Sequence, residues 1–283
     1  MIALTGASGQ LGQLVIKNLL DKGVKPKSIV AIARSTDKLD EFAKKGVQVR
    51  YGDYEKPDSL RSALEGVEKL LLISSSEVGK RLSQHQNVID IVRDSSVKHL
   101  AYTSILEADN SPLGLAEEHL ATEKLINDLD IKTTILRNGW YSENYTMGIP
   151  TILEHSVVLG CAGEGRISSA PRNDYALAAA NVLTDDGHAG KVYELAGDTS
   201  YNLSEFATLI GEQYGRDISY KNMTQSEYRD VLLQAGLPEV IADMLADSEI
   251  GASKGGLYSE SKDLSRLIGR PTESMKETIK RIA

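Results

Sequence analysis

The sequence predicts a doubly wound α/β protein with a smaller, mostly helical C-terminal lobe. Three observations carry that reading. Short apolar runs alternate with amphipathic stretches as far as Arg137, the pattern of a parallel sheet covered by helices. A GxxGxxG turn, formed by Gly6, Gly9 and Gly12, stands between the first run and the first amphipathic stretch. Beyond Arg137 the rhythm gives way to closely spaced helical segments.

The elements follow in order. Ile2 to Thr5 reads as the first strand. Leu11 to Lys22 reads as a helix, with Leu11, Leu14, Val15, Asn18 and Leu19 on one face. Ser28 to Ala33 is the second strand and Thr36 to Lys45 the next helix, stopped by Gly46. Val47 to Tyr51 is the third strand. The helix from Pro57 to Leu64 starts on a proline, whose missing N–H costs nothing in a first turn. Leu70 to Ile73, His99 to Thr103 and Thr133 to Arg137 are the fourth, fifth and sixth strands, joined by helices over Gln84 to Asp94 and Leu115 to Asp128. Five strand-to-strand steps through helices give a Rossmann-type sheet.

Asn138 to Asn144 reads as a loop. Val157 to Leu159 and Val192 to Leu195 are strand candidates, with an Ala-rich helix over Asp174 to Thr184 between them. Ser204 to Gly215, Gln225 to Ala235 and Pro238 to Leu245 are helical. The expected organisation is a dinucleotide-binding domain over 1–150 with a re-entrant segment at about 170–200. Residues 151–169 and 201–283 then form the smaller lobe, with a ligand expected in the cleft between the lobes.

Composition narrows the class. The 283 residues carry 32 Lys and Arg against 40 Asp and Glu, a net charge of -8. That balance disfavours a nucleic-acid partner, which needs clustered cations. The single cysteine, Cys161, excludes an intrachain disulfide or a cysteine-rich zinc site, and no metal site is expected. Cys161 itself reads as a small buried residue. No window approaches the roughly 18 apolar residues of a membrane span, and the opening residues lack a signal core. A cytoplasmic protein is expected, with no membrane insertion and with an oligomer left open.

At the first turn, Gly6 permits a tight bend, Gly9 lets backbone approach a pyrophosphate, and Gly12 lets the helix pack closely. The helix N–H groups and dipole then face an anion. The expected contacts run over Gly6, Ala7, Ser8, Gly9, Gln10 and Leu11. The end of the second strand decides the dinucleotide: a carboxylate there takes a ribose 2′-hydroxyl, an arginine takes a 2′-phosphate. The residue is Arg34, followed by Lys38, and NADP(H) is therefore expected over NAD(H). The alternative for Arg34 is a solvated surface residue. Asp53 has two open readings, an adenine partner or an Asx-type cap. Ser74, Ser75 and Ser76 end the fourth strand, beside the switch point where ribose or pyrophosphate lies; a plain turn is the other reading.

With these residues stand TGASGQLG, VEKLLLISSSEVG, YTSILEADNSPLGLAEEH, LRNGWYSENY, GKVYELAGD and ADMLADSEIGASKGGL. Together they resemble the NmrA-like group of atypical short-chain dehydrogenase/reductases, and within it a bacterial branch of NADPH-dependent quinone reductases. The resemblance covers nearly the whole chain. It implies cofactor contacts from Gly6 to Leu11, Arg34, Ser74 to Ser76, and the run Asn138, Gly139, Trp140, Tyr141, Ser142 and Glu143. It also implies that Asn138 and its loop line the nicotinamide pocket. A small-molecule quinone is the implied substrate.

One departure from the wider superfamily is informative. The usual Tyr-x-x-x-Lys positions fall on Leu115 and His119, so neither catalytic residue is present. Thr103 and Ser104 lie near the family's serine position. Hydride addition to a simple ketone makes an alkoxide whose conjugate acid has a pKa on the order of 15–16, which calls for a general acid. Addition to a quinone makes a phenolate-type anion with a conjugate pKa of roughly 10, which water can protonate. The expected reaction is direct hydride transfer to quinone without flavin, with catalysis resting on orientation. Asn138 orients the carboxamide or donates to a quinone oxygen in this reading, and caps a loop in the other. Trp140 and Tyr141 wall the pocket or simply pack. His119 donates a proton or is structural. Arg172 and Asn173 are candidates from the re-entrant segment. The rival function is a non-catalytic NADP(H)-binding redox sensor acting through a protein partner, which the missing Tyr–Lys pair fits equally well. A sugar-nucleotide epimerase or dehydratase fits less well, since those reactions use the absent tyrosine.

Overall fold

The computed structural model describes residues 1–283. In chain order the elements are β1 (Ile2–Leu4), α1 (Gln10–Asp21), β2 (Ile29–Ala33), α2 (Asp40–Lys44), β3 (Gln48–Tyr51), α3 (Pro57–Ala63), β4 (Lys69–Leu72), α4 (Arg81–Arg93), β5 (His99–Ile105), α5 (Ala116–Asn127), β6 (Lys132–Asn138), α6 (Glu143–Thr146), α7 (Ile149–His155), β7 (Val157–Gly160), α8 (Arg172–Thr184), β8 (Lys191–Leu195), α9 (Leu203–Tyr214), β9 (Ser219–Asn222), α10 (Gln225–Gln234), α11 (Glu239–Ser253), α12 (Asp263–Ile268) and α13 (Met275–Ile282).

Seven strands form one sheet in the order β3-β2-β1-β4-β5-β6-β8. β1 pairs in parallel with both β2 and β4, through Ala3 opposite Val30 and Leu70. β2 is fully buried along its length, as a central strand of a covered parallel sheet must be. The chain order reverses between β1 and β4, so the loops following these strands flank the topological switch point. The expected doubly wound fold is present.

The chain divides into two compact units. The first comprises residues 1–105, 118–137 and 172–193; the second comprises 106–117, 138–171 and 194–283. The division by contact falls between Arg137 and Asn138, at the end of β6. The segment 106–117 goes with the second unit, which the break in rhythm after Arg137 gave no means of seeing. In the first unit, Ala3, Val30, Leu70, Leu72, Leu100 and Tyr102 sit in one buried cluster with Leu60, Val88, Val92 and Ile126 from the helices. The re-entrant α8 lies on α1, where Asn18 Nδ2 donates to Asn173 Oδ1 at 3.1 Å and Lys22 Nζ to Asn181 Oδ1 at 2.7 Å.

The second unit holds a parallel pair, β7 with β9. β7 was expected as a strand; β9, reading Ser-Tyr-Lys-Asn, has only one buried-type residue and gave no signal. α9 and α10 each start on a full capping box, Asn202 with Glu205 and Thr224 with Glu227. α11 runs to Ser253, eight residues beyond the expected Leu245. The expected helix over Thr36 to Lys45 is a single 3-10 turn followed by the short α2. Asn138 belongs to β6, and α6 begins within the expected loop.

Candidate functional site

The first turn has the geometry its glycines require. Gly6 has φ +62°, in the region open to glycine. A Cβ on Gly12 would stand 2.5 Å from the Gly6 carbonyl oxygen and 2.7 Å from Ala7 Cα, so only glycine lets α1 begin against this loop. Gly9 is the N-cap of α1; no side chain caps the helix, and its first turn carries no acid. The N–H groups of that turn lack intrahelical acceptors and stand at the positive end of the dipole. These features fit a bound pyrophosphate. Gln13 Nε2 donates to the Ser8 carbonyl at 2.9 Å and fixes the loop from its own helix.

A residue that the sequence did not single out holds this turn to its neighbour. The Tyr54 hydroxyl lies 2.6 Å from Thr5 Oγ1 and 2.7 Å from the Ile73 carbonyl. Thr5 Oγ1 also accepts from the Ile73 N–H at 3.2 Å. The ends of β1 and β4 are thus joined by one phenol, whose pKa burial raises above its ordinary range. Only the chain's proximity in space reveals this role, since Tyr54 stands in no motif.

Arg34 follows β2 with its side chain 59% exposed, and Nη1 lies 2.8 Å from Glu77 Oε1. Lys38 is also exposed. Asp53 does not cap the following helix, whose N-cap is Lys56. Its Oδ1 accepts from the Glu55 N–H at 3.0 Å, an Asx turn.

The serine triplet is divided in its roles. Ser74 N–H donates to Thr103 Oγ1 at 2.9 Å. Ser75 is buried and fully engaged by α4: its N–H donates to His85 Nε2 at 2.9 Å, its carbonyl accepts from Arg81 Nε at 2.7 Å, and its hydroxyl meets Gln84 Oε1. Ser76 is exposed. A backbone N–H always donates, so His85 Nε2 carries no proton; the proton sits on Nδ1, which faces Thr122 Oγ1 at 3.0 Å. Burial and the nearby Arg81 push the His85 pKa down to about 3.

His119 lies in a buried polar cluster. It is buried, its Nδ1 is 2.7 Å from the Tyr102 hydroxyl, and burial holds its pKa well below the ordinary value. At neutral pH it is an uncharged imidazole in a closed polar chain. Tyr102 is 0% exposed and its phenol is pushed up by burial. Beside this pair, Glu123 accepts from Ser104 Oγ at 2.5 Å and takes Arg137 in two bonds, of 3.0 and 2.6 Å.

In the second unit, Asn138 ends β6 at 7% exposure. Its carbonyl accepts from the Leu106 N–H at 3.0 Å. Its Oδ1 is buried and has no hydrogen-bond partner. Such an orphan costs about 1–3 kcal/mol and fits the N–H of a ligand amide. The rest of the run is held by its own unit. Gly139 N–H donates to the Leu195 carbonyl at 2.7 Å, Ser142 N–H to the Ala170 carbonyl at 3.0 Å, and Ser142 Oγ is 3.0 Å from Ser169 Oγ. Trp140, Tyr141 and Glu143 are half-buried. Cys161 is buried, with its thiol pushed up to about 12, so it is an unreactive thiol. No group of three or more His, Cys, Asp or Glu could hold a metal ion, and no helix is long and apolar enough to cross a membrane.

A parallel sheet of this order, with a glycine turn opening onto an uncapped helix at the switch point, defines a dinucleotide-binding protein. A family model described as NAD(P)H-binding matches residues 6–186, and the chain belongs to that family. It is 53% identical over 279 residues to quinone oxidoreductase 2 of Escherichia coli (strain K12), covering 99% of this chain and 97% of the relative. The crystal structure of that organism's NADPH-dependent quinone oxidoreductase, QOR2, complexed with NADPH superposes with a TM-score of 0.97 at 53% identity, covering 100% and 99% of the two chains. Triphenylmethane reductase of Citrobacter sp., complexed with NADP(H), gives a TM-score of 0.96 at 40% identity, covering 100% of both chains.

Proposed function

We propose that this chain is an NADPH-dependent quinone reductase that uses neither a flavin nor a Tyr–Lys pair. The observation that carries the reading lies at the two positions where that pair would stand. One is Leu115; the other is His119, a buried neutral imidazole bound to an equally buried Tyr102. No general acid of ordinary pKa is offered there, which suits a substrate whose reduced anion has a conjugate pKa of roughly 10. When bound, NADPH supplies the hydride. The chain's own residues bind and orient. The backbone from Gly6 to Leu11 receives the pyrophosphate, Arg34 receives the 2′-phosphate, and Ser74 and Ser76 offer hydroxyls beside the switch point. Asn138 Oδ1 offers an acceptor to the carboxamide N–H. Thr5, Tyr54, His85 and Arg81 hold the two loops in place.

Full-length likeness to a quinone oxidoreductase supports this reading over a sensor without turnover. In the same reading the protein is a cytoplasmic, atypical short-chain reductase. The test is loss of NADPH absorbance with 1,4-benzoquinone, beside a panel of simple ketones. Turnover is expected with the quinone and not with the ketones; cofactor binding without turnover on any quinone overturns the proposal. Arg34→Glu should weaken NADPH binding by roughly 10- to 100-fold and leave NADH binding little changed. Equal loss of both removes Arg34 from the phosphate role.

A further inference from the structure

Arg34 meets a carboxylate, Glu77, and that carboxylate is fixed to the loop beside the switch point. Glu77 lies two residues after Ser75, and its N–H donates to Ser75 Oγ at 3.1 Å. Ser75 is itself held by Arg81, Gln84 and His85. The Glu77 backbone therefore has little freedom to withdraw. Its Oε1 meets Arg34 Nη1 at 2.8 Å, and Lys80 Nζ lies 3.8 Å from Oε2. Lys80 is shared with Glu55 at 3.0 Å, so it only partly neutralises Glu77.

We propose that Glu77 is a built-in competitor for the cofactor's 2′-phosphate, and that it sets how strongly the protein prefers NADPH over NADH. The inference rests on Arg34 holding that phosphate. The Arg34–Glu77 pair is largely solvent-exposed, and such pairs are weakly stabilising. A phosphate with charge near −2 and bidentate geometry displaces the carboxylate. The displaced carboxylate remains tethered nearby, as a like charge beside the phosphate. The penalty falls on the phosphorylated dinucleotide alone, because NADH brings only a hydroxyl to this position.

The test is calorimetric binding of NADPH and of NADH to the full chain as wild type, Glu77→Gln, Arg34→Ala and the double variant. Glutamine keeps the shape and a hydrogen-bonding oxygen but carries no charge. Glu77→Gln is expected to tighten NADPH about 3- to 5-fold at low salt, to leave NADH unchanged, and to lose most of its gain at high salt. The gain should shrink in the Arg34→Ala background, where there is no guanidinium to release. If Glu77→Gln leaves NADPH unchanged, weakens it, or tightens both nucleotides alike, while Arg34→Ala still abolishes the NADPH preference, the competition is overturned and the Arg34 assignment stands. If Arg34→Ala leaves the preference intact, the assignment falls and the competition with it.

Discussion

The two units each bury titratable groups that burial pushes toward the uncharged form, bases in the first and an acid in the second. The first buries three histidines, His85, His99 and His119, at 0%, 8% and 6% exposure. Burial lowers each, to about 3 for His85 and about 4 for His99, and nearby Arg81, Lys69 and Lys132 add to the effect. The second unit instead buries a carboxyl, Glu249, at 7% exposure. Desolvation pushes it up to about 7, even though the Cys161 N–H donates to it at 2.5 Å. Burial favours the uncharged form of either group, so it lowers bases and raises acids. The two groups should therefore change stability with pH in opposite directions, Glu249 destabilising as pH rises and the histidines as it falls. The first unit also buries charged side chains, among them two ion pairs: Arg137 with Glu123, and Arg81 with the less buried Glu118.

Breaking the better-buried pair should have the largest effect. Glu123→Ala leaves the Arg137 guanidinium and the Ser104 hydroxyl without the carboxylate that both now contact. The expected loss is about 3–5 kcal/mol, read as a fall in the urea midpoint at pH 7. A loss within about 0.5 kcal/mol, the range of an ordinary surface substitution, would show that the pair does not hold β5, β6 and α5 together.

This pair also marks the limit of what the sequence discloses. The glycine turn, the strands from β1 to β6, and Arg34 at the end of β2 were all readable, because each depends on neighbours within a few residues. Glu123 and Arg137 are 14 residues apart on a helix and a strand. Glu77 and Arg34 are 43 apart, and Tyr54 meets Thr5 across 49. Periodicity reports which face of an element is buried and says nothing of which polar group waits there. His119 shows the same limit from the other side. A histidine on a helix reads alike whether it faces substrate or the Tyr102 hydroxyl. β9 was missed for a different reason, since only its pairing with β7 makes a strand of a polar tetrapeptide.

The next effect belongs to the second unit. Glu249 ionises near 4.5 when unfolded and at about 7 when folded. A raised acid contributes its full stability below the unfolded value and loses it as pH rises through the folded one. Between pH 4.5 and 7 the second unit should lose on the order of 3 kcal/mol from this group. Glu249→Gln removes the proton equilibrium and keeps an oxygen for the Cys161 N–H. Amide hydrogen exchange across α11 and β7 should show the wild-type loss with rising pH, and a flat profile in the variant. If both slopes are the same, some other group is responsible.

The histidines have the opposite sign, and over the accessible range from pH 6.5 to 4.5 the smallest effect, about 2.7 kcal/mol per group. An unfolded histidine takes its proton near 6.5, whereas folded His85 resists until about 3. The stability that depends on the neutral ring is present above 6.5 and falls as pH drops toward the folded value. Each such histidine costs about 1.4 kcal/mol per pH unit across that window. His85 is the sharpest probe, because its Nε2 must stay unprotonated to accept the Ser75 N–H. His85→Gln can keep that bond through its side-chain oxygen while removing the titration. Urea midpoints from pH 6.5 to 4.5 should fall less steeply in the variant than in wild type, by about one proton's worth of slope. An unchanged slope would mean that the imidazole titrates alike in both states, and that the serine loop is held by Arg81 and Gln84 without it.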